Sequence, residues 1–488
     1  MSLMSRRFLC VYGHFYQPPR EDPFTGRVPQ EPGAAPYANF NEKITAECYR
    51  PNAEAGNFEY ISFDLGPTLA VWMEQYAPDT YARIIAADQR SMRRTGHGSA
   101  LAQAYNHTIL PLATARDKRT QVVWGVTDFQ HRYGHAPEGM WLAETAVDLD
   151  SLEALVDAGI TYTVLAPWQA AEGIDSTEPY WVRLPSGRSI AVFFYNAPLS
   201  GGVSFNWDMT SNADSFAASY LPHHLNGSKE QHGEAQLITV ATDGELYGHH
   251  QPWRDKFLSH LVRYGAPAYG FEVCTLGAYL AQFPPKREVR LDTPSSWSCH
   301  HGVLRWSEGC GCTEGNTSWK PALRRALNHL SERGDALFEK SLASLVEDPW
   351  AACNDYLALR SGWMEPEIFW ARHGRHGRAP HNIEAERRVL MLLEAQYYQQ
   401  CMYTSCGFFF EDLDRLEPRN DIAFARRAIS LYWQATQTDL QPEFLALLAQ
   451  ARSWRRGSTG ADLYQQLPAV SQELLPKVRL PANQGSAA

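Results

Sequence analysis

An α/β fold of alternating strands and helices, followed by an all-helical C-terminal region, is what this 488-residue sequence predicts. Three observations predict it. Short apolar runs alternate with helix-periodic stretches over roughly the first 280 residues, the pattern of a parallel α/β barrel or sheet. Two of those runs lead into an acidic residue beside aromatic ones, at Gly139-Met140-Trp141-Leu142-Ala143-Glu144 and at Thr242-Asp243-Gly244-Glu245-Leu246-Tyr247-Gly248. Beyond Trp319 the strand signal stops and helical spacing takes over.

In chain order, Phe8 to Tyr12 reads as a buried strand ending in Gly13-His14-Phe15-Tyr16-Gln17-Pro18-Pro19. Residues 20–57, rich in Pro, Gly, Asn and Glu, read as a long loop excursion, a type more often functional than idle. Leu65 to Arg90 has helical spacing, and Lys118 to Tyr133 repeats it. Glu138 to Leu142 is a short strand, Leu149 to Ala158 a helix closed by Gly159, and Thr161 to Ala166 a strand. Tyr180 to Asn196 reads as a hairpin turning at Pro185-Ser186-Gly187. Ala235 to Ala241 is a strand with Asp243 just beyond, Leu258 to Tyr264 is helical, and Gly270 to Cys274 is strand-like. The stretches 322–345, 349–359, 382–400, 421–437 and 442–453 are helical, and the small polar tail from Asn483 reads as frayed. The expected division is a barrel-type domain over residues 1–318 and a helical domain over 319–488.

Composition narrows the function. A net charge of −10 with only short basic groups argues against a nucleic-acid partner. No apolar run approaches the ~18 residues of a membrane span, and the start runs directly into a strand pattern, so no signal peptide is read. Nine cysteines, an odd number, fit the reducing cytoplasm. The 15 Trp, 23 Tyr and 21 Phe make 12% of the chain, and such rings offer apolar faces to sugars as well as to a core.

In α/β barrels and sheets chemistry sits at the carboxyl ends of strands, where His14, Glu144 and Asp243 all fall in this reading. A carboxylate after a strand is commonly a helix cap or a surface charge. Two of them beside aromatic rings are also what glycosidic bond cleavage needs, one ionised and one protonated.

These segments, with their neighbours, resemble glycoside hydrolase family 57. Four of that family's signatures can be placed in order: His14-Phe15-Tyr16-Gln17-Pro18, with Tyr16 where the family has a second His; Gly96-His97-Gly98-Ser99 followed by Tyr105-Asn106-His107-Thr108-Ile109-Leu110-Pro111, with Ser99 where amylase-type members have Glu; Gly139 to Glu144; and Asp243-Gly244-Glu245. The resemblance covers roughly residues 8–320. It implies an incomplete (β/α)7 barrel followed by helices, and a retaining hydrolase or glucanotransferase acting on α-linked glucan. It places the nucleophile on Glu144 and the acid/base on Asp243, with no cofactor and no catalytic metal. His14, Gln17, His107, Trp141, Glu245, Trp253, Trp297, His300 and Trp306 are the expected substrate contacts. For His14 and His107 a structural role satisfied by backbone is the competing reading, and for Trp297 and Trp306 it is core packing.

Cys299, Cys310 and Cys312 with His300 and His301 raise the question of zinc. Their C-x10-C-x-C spacing is not a standard ligand pattern, so buried structural thiols without metal are expected. The rival functions are a metal-dependent polysaccharide deacetylase, for which only His131 and His135 have suitable spacing, and a non-catalytic carbohydrate-binding barrel. The sequence leaves open hydrolysis against transfer, and the oligomeric state.

Overall fold

The computed structural model describes residues 6–380 and 382–467; the tail from Asn483 lies outside them. These residues form two compact units, one of residues 6–20 and 28–304, the other of 21–27 and 305–467.

The first unit is built on strands β1 (Arg7–Phe15), β2 (Ser62–Leu65), β3 (Ala100–Gln103), β4 (Met140–Trp141), β5 (Tyr162–Leu165), β6 (Tyr180–Arg183), β7 (Ser189–Phe194), β8 (Gln236–Asp243) and β9 (Phe271–Val273). One sheet runs β4-β3-β2-β1-β8, all parallel, with β9 also on β1. In the other sheet β7 lies between β5, parallel, and β6, antiparallel. The sheets join where Gly139, just before β4, bridges Tyr162 of β5. They meet again where the Asn196 amide, just after β7, donates to the Thr239 carbonyl of β8 at 2.7 Å. The parallel strands therefore run β1-β2-β3-β4-β5-β7-β8 and back to β1. The β7–β8 junction, held by so little, is the open seam of an incomplete (β/α)7 barrel.

Alternation along β1 shows the closure. Phe8, Cys10 and Tyr12 point into a cluster with Trp141, Tyr162, Phe193 and Leu237 from around the ring. Leu9 and Val11 point out, into the layer packed with helices. Trp141 of β4 stacks on Tyr12 of β1 with ring centroids 4.8 Å apart. On a flat sheet those strands would be about 14 Å apart, so only curvature lets the rings meet.

The excursion over 20–57 is not the loop that its composition predicts. A helical run spans Phe40–Ile44, a π-turn Thr45–Tyr49, and Arg50–Glu54. Asn39 caps it by accepting from the Glu42 amide. The π-turn carries Glu47 and Tyr49, both of which reach the segment after β8, and such turns recur at functional sites. The expected single helix of 65–90 is two, Pro67–Tyr76 and Pro78–Thr95, because Pro78 offers no amide to continue the first.

The second unit is helical: Trp319–Leu342, Pro349–Arg360, Pro366–His373, Ile383–Cys401, Leu416–Thr436, Gln441–Leu448 and Gly460–Gln466 are its main helices. Inside it Glu394, fully buried, accepts from Arg360 and Tyr356. Trp306 has no exposed surface, and its carbonyl takes the Arg324 guanidinium. Of the two readings that the sequence leaves for Trp306, sugar platform and core packing, its burial fits core packing.

Candidate active site

The β1–β8 register puts His14 beside Asp243. Glu144 follows β4 directly, on a short 3-10 turn at Ala143–Thr145. Glu144 (φ 58°) and Thr145 (φ 48°) both occupy left-handed backbone, costly for non-glycine residues and most of all for a β-branched one. The surroundings hold them there. Thr145 donates from Oγ1 to Gln169 at 2.8 Å, and Gln169 returns a bond to the Thr145 carbonyl at 2.9 Å. The segment after the cis Thr293–Pro294 bond is laid against this turn: Val147 and Ser295 exchange backbone bonds, and the Trp297 amide donates to the Glu144 carbonyl at 3.1 Å.

That pairing aims two donors at one carboxylate oxygen. Trp297 Nε1 reaches Glu144 Oε2 at 2.9 Å, and the Ser298 hydroxyl reaches it at 2.7 Å. Burial raises the Glu144 pKa above the usual carboxylate range; the Ser298 and Trp297 bonds pull the other way, Asp243's negative charge adds to the rise, and His14 opposes it. Asp243 keeps an exposed edge although protein surrounds most of it. Its pKa is also raised, by desolvation first, with His14 and His250 opposing and Asp64 adding. Asp64 lends Asp243 like charge, and the repulsion between Asp243 and Glu144 is mutual. The carboxyls differ in what holds them: two protein donors favour the charged form of Glu144, and on Asp243 His14 and His250 act by charge alone.

Near both lies a buried polar stack. His14 Nδ1 meets Asp64 Oδ2 at 2.8 Å, and its Nε2 meets His107 Nε2 at 3.1 Å. Tyr12 donates to the other oxygen of Asp64 at 2.6 Å. Burial disfavours a charge on His14, but Asp64, then Asp243 and Glu245, outweigh it and raise its pKa to about 9. His107 is pushed well below its usual value by burial and by His14. The pair is thus an imidazolium donating from both nitrogens, to Asp64 and to neutral His107. Tyr16, which stands where the family has a second His, stacks on His107 at 3.8 Å between ring centroids.

Glu245 is a third carboxyl here, accepting from Tyr49 Oη at 2.6 Å and from the Tyr16 amide at 3.3 Å. Burial raises its pKa to about 7; the Tyr49 bond counters, and Asp243 adds to the rise. A carboxyl raised in the folded state contributes stability in full below its unfolded value and loses it as pH rises through the folded value. Glu245 therefore costs stability between about pH 4.5 and 7. Glu245→Gln keeps an acceptor for Tyr49 without the charge, so it should stabilise the protein by about 2 kcal/mol at pH 8 and hardly at all at pH 4.5. Denaturant unfolding at both pH values checks this; equal effects at both would refute it.

The other expected contacts are less uniform. Gln17 is half-buried and accepts from Arg20 at 2.8 Å. Trp253 is 69% exposed on left-handed backbone, with the Lys256 ammonium over its ring. His300 is exposed. Trp141 is fully buried, between Tyr12, His14 and the edge of Trp297, so it is packing beneath the site rather than a sugar contact. Asp64, Tyr12, Tyr49 and Ser298 were missed as site residues. For Tyr49 the signal was the length of the excursion that carries it; Ser298 lies between Trp297 and Cys299, both singled out from the sequence; Asp64 and Tyr12 gave none.

Of the deacetylase pair, His135 has both ring nitrogens engaged, Nε2 on Asp88 at 2.8 Å and Nδ1 on the Ala136 carbonyl at 2.9 Å. The thiols of Cys299, Cys310 and Cys312, read from spacing as separate structural thiols, instead converge with His301: their ligand atoms lie within 4.8 Å of one another.

Ser298→Ala tests the grip on Glu144. Losing that donor raises the Glu144 pKa further. The acid limb of the rate profile should move to higher pH, with kcat down about tenfold. An unmoved acid limb would mean that Ser298 does not tune Glu144.

The family model for Glycosyl hydrolase family 57 matches residues 34–292, and a Domain of unknown function (DUF3536) matches 316–482. Among curated proteins, the chain is 22% identical over 253 residues to alpha-amylase 1 of Dictyoglomus thermophilum, covering 49% of this chain and 33% of that one. It is 24% identical over 299 residues to a 1,4-alpha-glucan branching enzyme of Thermococcus kodakarensis, covering 44% and 43%. The matches thus span less than half the length of these relatives. Among solved structures, an exo-type maltose-forming amylase from Pyrococcus sp. ST04 superposes with a TM-score of 0.71 at 15% identity, covering 90% of this chain and 82% of that one. The branching enzyme structure from Thermococcus kodakaraensis gives 0.59 at 16%, covering 98% and 100%. The family match takes in more than half of the chain, including both acidic segments, and so this chain belongs to glycosyl hydrolase family 57.

Proposed function

We propose that this chain is a retaining glycoside hydrolase or glucanotransferase acting on α-linked glucan, with Glu144 as nucleophile and Asp243 as acid/base. The observation that carries the reading is the contrast at the site: Glu144 receives two donors on one oxygen, leaving the other for attack, beside the accessible edge of Asp243. Glu144 attacks the anomeric carbon while Asp243 protonates the leaving oxygen. Asp243 then takes the proton of the incoming acceptor. Water gives hydrolysis; a sugar hydroxyl gives transfer or branching. Cationic His14 spreads positive charge toward both carboxyls, buried His107 backs it, and half-buried Trp297 lines the wall at which a sugar ring would sit.

Family membership and the α-glucan-acting relatives support the substrate class. We assign the reaction to the barrel domain and place the protein in the cytoplasm, a reading supported by cysteines that form no disulfide among the described residues. Among those residues no helix is long and apolar enough to cross a membrane. The test is incubation with maltooligosaccharides and with amylose, followed by product sizing. Shortened chains mean hydrolysis, and redistributed lengths mean transfer. Binding without any product would favour the non-catalytic barrel.

A further inference from the structure

Residues 299–312 fold back on themselves. His301 to Val303 form a turn, Leu304 to Trp306 a 3-10 turn, and Ser307-Glu308 a further turn. Two glycines take left-handed backbone on the way. A Cβ on Gly302 would stand 2.6 Å from the Pro294 carbonyl oxygen, and one on Gly309 would stand 2.3 Å from Thr317 Oγ1, so the tight path demands glycine at both. The outcome of that path is chemical. Cys299 Sγ, a ring nitrogen of His301, Cys310 Sγ and Cys312 Sγ all lie within 4.8 Å of one another. No disulfide is formed among the described residues. All four ligands come from this one short run of chain, in the order Cys-x-His-x8-Cys-x-Cys, so the cluster is a local fold. Its spacing departs from the standard zinc-ligand patterns, so only the folded loop reveals it.

We propose that Cys299, His301, Cys310 and Cys312 bind one structural zinc ion that fixes the loop holding Glu144. Three thiolates and one imidazole around a common point are a closed tetrahedral set for Zn²⁺. Ligand atoms on such an ion stand about 3.7 Å apart, given Zn–S bonds of ~2.3 Å, so the four need draw in by only about 1 Å. Binding releases the thiol protons and leaves a net charge of −1. Arg305 stands close in the same loop, donating to the Cys312 carbonyl at 2.5 Å. With four protein ligands no position is open for substrate, so the ion's work is to hold the loop. What it holds is specific: Cys299 directly follows Trp297 and Ser298, which donate to Glu144. Tying Cys299 to an ion fixes the end of that segment, as outer supports fix a reacting group elsewhere. The zinc itself stands apart from any reaction; the positioning role rests on Glu144 being the nucleophile.

The full chain, purified without added metal and dialysed, should carry about one zinc per molecule by plasma mass spectrometry. Cobalt exchanged in its place should give strong thiolate-to-metal absorption in the near ultraviolet and the intense visible bands of a tetrahedral site. Both measurements use the unmodified protein and need no activity. Cys310→Ser with Cys312→Ser should lower zinc content at least tenfold, whereas His300→Ala, one residue from a ligand, should keep it. In the double variant kcat should fall about tenfold with KM little changed, at unaltered circular dichroism. Zinc below about a tenth of an equivalent with no cobalt–thiolate band, or cysteines recovered as disulfides, would overturn the site. Loss of zinc with kcat intact would overturn the positioning role alone.

Discussion

Glu144→Gln is expected to abolish turnover, by about 10⁴-fold or more in kcat, while leaving the fold in place. The amide is isosteric and can still accept from Ser298 and Trp297 through its carbonyl oxygen, so the strained turn at Glu144 and Thr145 keeps its supports. What it cannot do is displace a leaving group and form the glycosyl-enzyme. Circular dichroism and thermal unfolding should match the parent, and product sizing on maltooligosaccharides should show no new chains. A variant retaining a tenth or more of parental kcat would remove Glu144 from the nucleophile's role.

Asp243→Ala should lose about 10²–10⁴-fold on substrates with poor leaving groups, since protonation of the leaving oxygen is then missing. Substrates with good leaving groups should still glycosylate Glu144, and azide should restore turnover by attacking the intermediate without a base. The pH profile of the parent follows from the roles proposed for the two carboxyls. Glu144 must be ionised, so the rate falls as pH drops through its raised value. Asp243 must be protonated, so the rate falls as pH rises through its own raised value. The bell belongs to the coupled pair rather than to either residue. In Asp243→Ala the basic limb should disappear for activated substrates. Equal losses on both kinds of leaving group, with no azide rescue, would show that Asp243 is not the acid/base.

Much of this protein is determined by its sequence alone. Unbroken apolar runs such as Phe8 to Tyr12 alternate with helical stretches, and that local pattern is sufficient for the barrel strands and for most C-terminal helices, because burial on both faces of a strand or on one face of a helix is written in the run itself. The placing of Glu144 and Asp243 after strands is equally local, and their neighbours carry the family's signatures. Helix in the 20–57 excursion escaped a compositional reading, because Pro and Gly at its start masked the capped run from Phe40.

Only the tertiary structure decided which rings face sugar and which are core. Trp141 and Trp306 look like Trp297 in sequence, yet both are fully buried, because exposure depends on which strands the barrel brings together. Strand register and loop packing set the charge on His14, through Asp64 in register on β2 and His107 from beyond β3, residues 50 and 93 positions away. Ser298 reaches Glu144 across 154 positions for the same reason. The cysteine cluster is the intermediate case: its ligands are close in sequence, but two left-handed glycines and a histidine outside the usual spacing had to fold before they met. Spacing records what one element does; a site made of several elements is recorded only in how they pack.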